Sequence, residues 1–577
     1  MDKRRVKSRA YIVSDSIISP LGRDTETNMR EIMHYNSGVK RVDDSSLYSS
    51  PFMAARIEQE MNYYDSQSFP DDATILERRA IEAVKKAAEN CNSDNVSVLL
   101  SQTRLIVATT KGNIDLIEKD WNRLDSAAFP GNMATRLSKW LGMSGEPIVI
   151  SSACISGVNA IIEASRLIES GECHNIMVVG ADLLSRFVIT GFESFKSISP
   201  RVCVPYDVSR DGLNLGEAVA AILLSSNREL CKDINPVIVE GGAVTNDANH
   251  LSAPSRTGDG LGTAMINAME DAGVDAESVS FINAHGTSTL YNDEMESKAV
   301  HFALLQGKPV QSLKPFFGHT LGASGVVETI ASAWQMKNSF LFGTRGFKEL
   351  GVPMEIKVSA HHREMELTRC VKSASGFGGC NAAIVLALES VSVTKHSDEY
   401  SEWRELAIYN LHGDSDFESI IREKYRELDL KDIKFFKMDG LSRLGVIGAA
   451  NLLKNAEGKI NCDPFKMGMM LANRSSSLDT DIRHQSLINE GDSSASPAVF
   501  VYTLPNIVMG EIAIRNKFKG ENMFFIYDSD IPSDIHMDLL KYTKNTKLEV
   551  VITGWCDYLD GKFCLDIKLY KRDKYGN

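Results

Sequence analysis

The stretch SSACISGVNAIIEASRLIES, residues 151–170, decides how this chain is read. A short apolar run, 147–151, leads into it, and a helical pattern then continues until Gly171 provides a natural stop. Cys154 therefore sits where a buried strand turns into a helix, with Ser151 and Ser152 before it and Ser156 and Gly157 after it. A thiol at a helix amino terminus faces unpaired N–H groups and the positive end of the helix dipole, and both favour thiolate. Free cysteine is also commonly buried for packing alone, so this stretch by itself leaves a structural Cys154 open.

Similar runs recur outward from it. Residues 105–109, 176–179, 218–224 and 280–284 are short and apolar without clear alternation, which suits strands buried on both faces. Amphipathic stretches such as 261–272 lie between them, so layered α/β architecture is expected. Two histidines occupy glycine-marked turns after such strands: His285 in FINAHGTSTLYNDEMES and His319 in SLKPFFGHTLGASGVVE. Taken singly, each reads as structural. Together with Cys154 they supply a nucleophile and two imidazoles, a set suited to acyl transfer.

Here the motifs carry a family resemblance. SSAC, HGTST and KxxxGHTLGASG, in that order, resemble a β-ketoacyl-acyl-carrier-protein synthase of the elongating, Cys-His-His type within the thiolase superfamily. VPYDVSRDGLNLGE at 204–217 and SGFGGCN at 375–381 are similar to further blocks of that family, and the resemblance covers residues 8–390. It implies the thiolase fold: two similar α/β halves stacked in five alternating layers (αβαβα). Cys154 would belong to the first half, and His285, His319 and Phe377 to the second.

The resemblance also implies the chemistry. Cys154 would accept an acyl chain from an acyl carrier protein, and a malonyl thioester would lose carbon dioxide and attack it. Backbone N–H groups of Cys154 and Phe377 would hold the tetrahedral oxyanion, and the imidazoles of His285 and His319 the enolate oxygen. Lys314 and Glu328 would form a polar support around His319. Thr287 and Thr289 match threonines that bind the pantetheine arm, and Phe377, flanked by Gly376 and Gly378, matches a gating residue. Asp293 and Glu296 read as structural. No cofactor and no metal is implied. Ser375, Leu290, Phe316–Phe317 and Cys380 depart from the usual pattern; none removes a catalytic group, but chain-length preference is put in question. The competing readings are a non-condensing partner, which lacks the nucleophile, a thiolase, which carries a CxGxG-like loop absent here, and a binding or scaffold subunit whose active site is vestigial.

The organisation expected is a first half at 1–230, a second half at 231–390, a polar linker at 391–404 and a smaller region at 405–577. That last region echoes the first. GEPIVISSAC at 145–154 compares with GENMFFIYDS at 520–529, an offset of 375 residues, and NIMVVGAD at 175–182 with LEVVITGWCD at 548–557. KFFKMDGLSRLGVIGAANLL, 434–453, resembles the helix before the first-half sheet. Ser529 stands opposite Cys154, and neither histidine motif recurs, so a degenerate, non-catalytic half-domain is expected; an unrelated α/β domain is the alternative. In the family the strand matching 176–179 pairs across a homodimer, so 548–553 is expected to offer a similar edge strand, giving a homodimer or a pseudo-dimer.

Composition sets the outer limits. Of 577 residues, 43% are hydrophobic and 24% charged, which excludes a disordered or fibrous chain. The net charge of −13, from 63 basic against 76 acidic residues, argues against nucleic-acid binding. No apolar stretch is long enough for a transmembrane helix or a signal peptide, and the ten cysteines form no CxxC pair, so a reducing cytoplasm is expected. Carrier proteins of this kind are acidic, so docking needs a local basic patch; Arg78, Arg79, Arg136 and Lys139 are candidates.

Overall fold

The computed structural model describes residues 7–58, 69–395 and 402–573. Residues 396–401 of the expected linker lie outside the described residues. One continuous sheet of sixteen strands runs through the molecule. In chain order these are β1 (Ala10–Ile18), β2 (Thr103–Ala108), β3 (Ile148–Ile150), β4 (Asn175–Asp182), β5 (Ala218–Ser225), β6 (Val237–Asn246), β7 (Phe281–Asn283) and β8 (Pro309–Gln311). They continue with β9 (Lys357–Val358), β10 (Arg369–Gly376), β11 (Cys380–Leu388), β12 (Trp403–Gly413), β13 (Met467–Asn473), β14 (Asn522–Ile526), β15 (Val550–Leu559) and β16 (Lys562–Arg572).

Three blocks of this sheet share one topology. The first half has the order β1-β5-β4-β2-β3, with two antiparallel pairings followed by two parallel ones. The second half repeats it as β6-β11-β10-β7-β8, and the carboxyl region as β12-β16-β15-β13-β14. The first two blocks meet where β1 and β6 pair over two residue positions.

Strand alternation builds the layers. In β2, Leu105 and Val107 face one core while Ile106 and Ala108 face another, all fully buried. The outer core holds helix α1 (Ile75–Glu89) against the first-half sheet. The inner core holds α2 (Ser156–Glu169) and α4 (Ser324–Asn338) between the first-half and second-half blocks of the sheet, and α3 (Asp259–Ala272) covers the far face of the second block. This is the five-layered thiolase arrangement. Every residue of α2 is buried, which is why its sequence is apolar well beyond one face. Gly157 makes the helix crossing possible, because a Cβ there would lie 2.8 Å from both the Gly322 carbonyl oxygen and the Val326 nitrogen.

The carboxyl region attaches through an edge different from the one expected. The strand at 176–179 lies inside β4, between β5 and β2, and 550–559 is the interior strand β15. Both are long, fully paired and buried, so neither has a free edge. The junction is instead the three-residue β3 against β14, antiparallel, with Ile150 opposite Phe525 and Val149 opposite Ile526. Buried ion pairs fasten the same seam: Arg166 with Glu521 at 2.7 Å and Lys111 with Asp481 at 2.7 Å.

Candidate active site

Cys154 follows β3 and stands one residue before the cap of α2. Ala153 takes φ +50°, a left-handed backbone unfavourable for a residue with a Cβ, and this sharp turn aims the thiol at the second half. The loops after β7 and β8 bring the two histidines to it. The Sγ of Cys154 and one nitrogen of each imidazole, His285 and His319, lie within 4.8 Å of one another. His319 Nε2 is 3.1 Å from the sulfur, and the two rings meet edge to face at 5.1 Å.

Each imidazole is fixed from behind. Lys314 Nζ lies 3.4 Å from Nδ1 of His285; a charged ammonium can only donate, so the ring hydrogen is on Nε2, facing the cavity. His319 Nδ1 is 3.1 Å from the Ser324 hydroxyl, itself 3.1 Å from that of Thr320. The support expected around His319 is therefore divided: Lys314 serves His285, and hydroxyls serve His319. Glu328 joins the cluster by pairing Oε1 with Lys314 at 2.8 Å and Oε2 with Lys372 at 2.6 Å. Glu296 accepts the backbone N–H groups of His285 and Gly286, and Asp293 those of Tyr206 and Ser288. Both acids shape the loop, as the sequence suggested.

Burial, then Lys314, His319 and Lys372, hold His285 far below the usual imidazole range, and burial with the two lysines does the same for His319. Both rings are thus neutral N–H donors. Burial also pushes the Cys154 thiol up to about 12, against the pull of Lys314 and with a push from Asp182. The thiolate expected from the helix dipole is not the resting form, because desolvation outweighs that dipole. Burial raises Asp182 to about 6, and it accepts the N–H groups of Thr110 and Gly322, tying β2, β4 and the His319 loop together.

A cavity of about 270 Å³ opens on these groups. Thr287 and Thr289, their hydroxyls 2.8 Å apart, line it with Tyr291 and Asn292. Its apolar side is Phe192, Phe195 and Phe377, the last ring 5.5 Å from Phe195 and 6.2 Å from Phe192. Ser375 and Gly376 also line it, whereas Gly378 lies behind the loop against Asn506. Phe500 backs the aromatic group, 5.5 Å from Phe192.

Sequence reasoning missed Lys372, Asp182, Ser324 and Asn506. Lys372 left a signal, a cation inside the otherwise buried strand β10, where its side chain is 0% exposed. Two of the four expected docking residues are paired with acids. Arg136 pairs with Glu77 at 3.0 Å and Asp72 at 2.9 Å, and Arg79 lies 3.7 Å from Glu217, so carboxylates take up both charges.

Comparison with known proteins places this geometry. Residues 7–229 match the model of the β-ketoacyl synthase N-terminal domain, and residues 237–348 that of the β-ketoacyl synthase C-terminal domain. The 3-oxoacyl-[acyl-carrier-protein] synthase 2 of Vibrio cholerae is 29% identical over 417 residues, covering 67% of this chain and 99% of that protein. The chloroplastic 3-oxoacyl-[acyl-carrier-protein] synthase I of Arabidopsis thaliana is 27% identical, covering 66% and 87%. Among solved structures, the PfaC keto synthase-chain length factor overlays 98% of this chain and 78% of its own with a TM-score of 0.78 at 15% identity. The ketosynthase ApeO, solved with its chain length factor ApeC from Xenorhabdus doucetiae, covers 66% of this chain and 98% of its own, with a TM-score of 0.57 at 24% identity. The structures speak for fold alone. The two matched domains follow one another over more than half of the sequence and hold the cysteine and both histidines, so the chain belongs to the β-ketoacyl synthase family.

Proposed function

We propose that this chain is a 3-oxoacyl-acyl-carrier-protein synthase that extends an acyl group held on Cys154 by decarboxylative condensation with a malonyl-acyl-carrier-protein. The observation that carries the reading is the convergence of one sulfur and two neutral imidazoles at the end of a largely apolar cavity.

Loading comes first. Sγ attacks the carrier thioester; His319 Nε2, 3.1 Å away, receives the thiol proton, and the carrier thiolate departs and takes it up. Ser324 makes the exchange workable, because its hydroxyl can either accept from or donate to Nδ1 as the ring changes its protonated nitrogen. Decarboxylation of the malonyl thioester then leaves an enolate. The Nε2 hydrogen of His285 is a donor for its oxygen, and His319 joins it in the tautomer that carries its hydrogen on Nε2, with the Ser324 hydroxyl then donating to Nδ1. The enolate carbon attacks the acyl carbonyl, backbone N–H groups at Cys154 and Phe377 hold the oxyanion, and the Cys154 thiolate leaves and takes from water the one proton the condensation consumes. Thr287 and Thr289 hold the pantetheine arm, and Lys314, Glu328 and Lys372 maintain the charge beneath the imidazoles.

All ten cysteines are free thiols, which fits a cytoplasmic setting. The carboxyl region serves as an intrachain mock subunit. The test is intact-mass analysis of carrier proteins after incubating the chain with malonyl carrier and a panel of acyl primers. A 3-oxoacyl carrier two carbons longer than the primer is expected from the wild type and none from Cys154→Ala. Primer left unextended at every length would overturn the reading.

A further inference from the structure

The carboxyl region reaches the loop that carries Phe377. Asn506, directly before helix α5 (Ile507–Asn516), is 3% exposed, and its Nδ2 donates to the Phe377 carbonyl oxygen at 2.9 Å. The same peptide unit is held on its other side, where the Gly378 N–H donates to the Leu251 carbonyl at 2.6 Å. The next carbonyl, of Gly378, accepts from Asn246 Nδ2 at 2.9 Å. Gly378 has φ +90°, and a Cβ on it would lie 2.7 Å from Asn506 Nδ2, so only glycine allows the contact.

This peptide is a hinge point. An acyl chain on Sγ that grows along the apolar side of the cavity meets the rings of Phe192, Phe195 and Phe377. Phe192 and Phe195 belong to a helix and its cap (Arg186–Ser194, capped by Phe195), whereas Phe377 rides on a glycine-rich turn. Phe377 is therefore the ring that can yield. Its outward swing rotates the 377–378 peptide and breaks the bonds to Leu251 and Asn506 together.

We infer that Asn506, supplied by the carboxyl region, is a positioning residue that latches Phe377 shut beside Cys154 and so sets how readily long acyl chains load. The inference rests on the condensing reading above. It gives the carboxyl region a direct hand in the reaction although it brings no reacting atom.

Asn506→Asp tests the bond, since the shape is kept and the donor is lost at pH 8; Asn506→Ala removes the side chain without adding charge. Two readouts are compared with wild type on full-length protein: hydrogen exchange over 373–382, and single-turnover acylation of Cys154 by long against short acyl carriers. Both variants should exchange faster in that segment while β6 stays protected. The long-to-short acylation ratio should rise about fivefold, the size of one hydrogen bond. A variant that stays folded, by an unchanged thermal unfolding midpoint, with exchange and ratio both at wild-type values would overturn the latch. Faster exchange with an unchanged ratio would reduce Asn506 to a structural contact and overturn it equally. Should wild type fail to acylate from any carrier, the condensing reading falls, and the exchange comparison still judges the hydrogen bond by itself.

Discussion

The turn after β3 and the turn after β14 occupy equivalent places in blocks of the same topology, yet only the first brings a cysteine against two imidazoles. After β3 comes Cys154 and then a helix of fourteen residues, all buried between two blocks of the sheet. After β14 comes an exposed Ser529 and then α6 (Ile535–Lys541), seven residues long. The first turn is met by His285 and His319 from a complete second half. No second half follows the other turn among the described residues, and its neighbourhood holds neither histidine motif. Sheet topology is thus a scaffold, and reactivity comes from what closes over the turn.

Removing the chemistry from the competent turn should give the largest effect. Cys154→Ala is expected to lower condensation by about a thousandfold or more, because no acyl-enzyme forms; labelling by iodoacetamide at the site should vanish with it. Weakening the seam between the copies comes next. Phe525 is 1% exposed and faces Ile150, so Phe525→Ala should cost about 3–5 kcal/mol, read as a fall in thermal midpoint. Removing one imidazole should follow: His285→Ala should slow malonyl decarboxylation by about a hundredfold, with acyl loading of Cys154 far less affected.

The pH response discriminates further. Both rings have imidazole pKa values far below 6.5, so they stay neutral donors as pH falls through the range where ordinary histidines protonate. Decarboxylation should therefore show no acid limb between pH 6 and 7. Lys372→Met removes one of the charges that hold the rings neutral, so any acid limb should move upward, toward ordinary values. The smallest effect expected is none. Ser529→Cys restores sulfur to the idle turn, and intact-mass analysis should find no acyl adduct there when Cys154 is absent. Acylation of position 529 would break the comparison.

The residues that made the site legible are those whose neighbours in sequence are also their neighbours in space. SSAC, HGTST and GHTLGASG each encode a complete turn, and their joint resemblance to one family is what marks Cys154, His285 and His319. The layers were legible from apolar runs such as 105–109, which face two cores at once. Long-range partners were not. Nothing adjacent to Asn506 says that it will touch Phe377, 129 residues away in sequence. Lys372 points at Glu328 only after β10 and α4 have packed. The joining edge was misplaced for a related reason. The expectation carried the family's homodimer strand onto 176–179, but that segment is interior here, and the three-residue β3 is where the first-half block ends and can be extended.

One consequence of the β3–β14 seam concerns stoichiometry. Since both strands belong to a single polypeptide, their meeting is first order, and dilution cannot separate them. It also uses up the β3 edge, so two such molecules cannot join there in the way separate subunits would. Each polypeptide therefore carries the turn with Cys154 and the turn with Ser529 in a fixed one-to-one ratio.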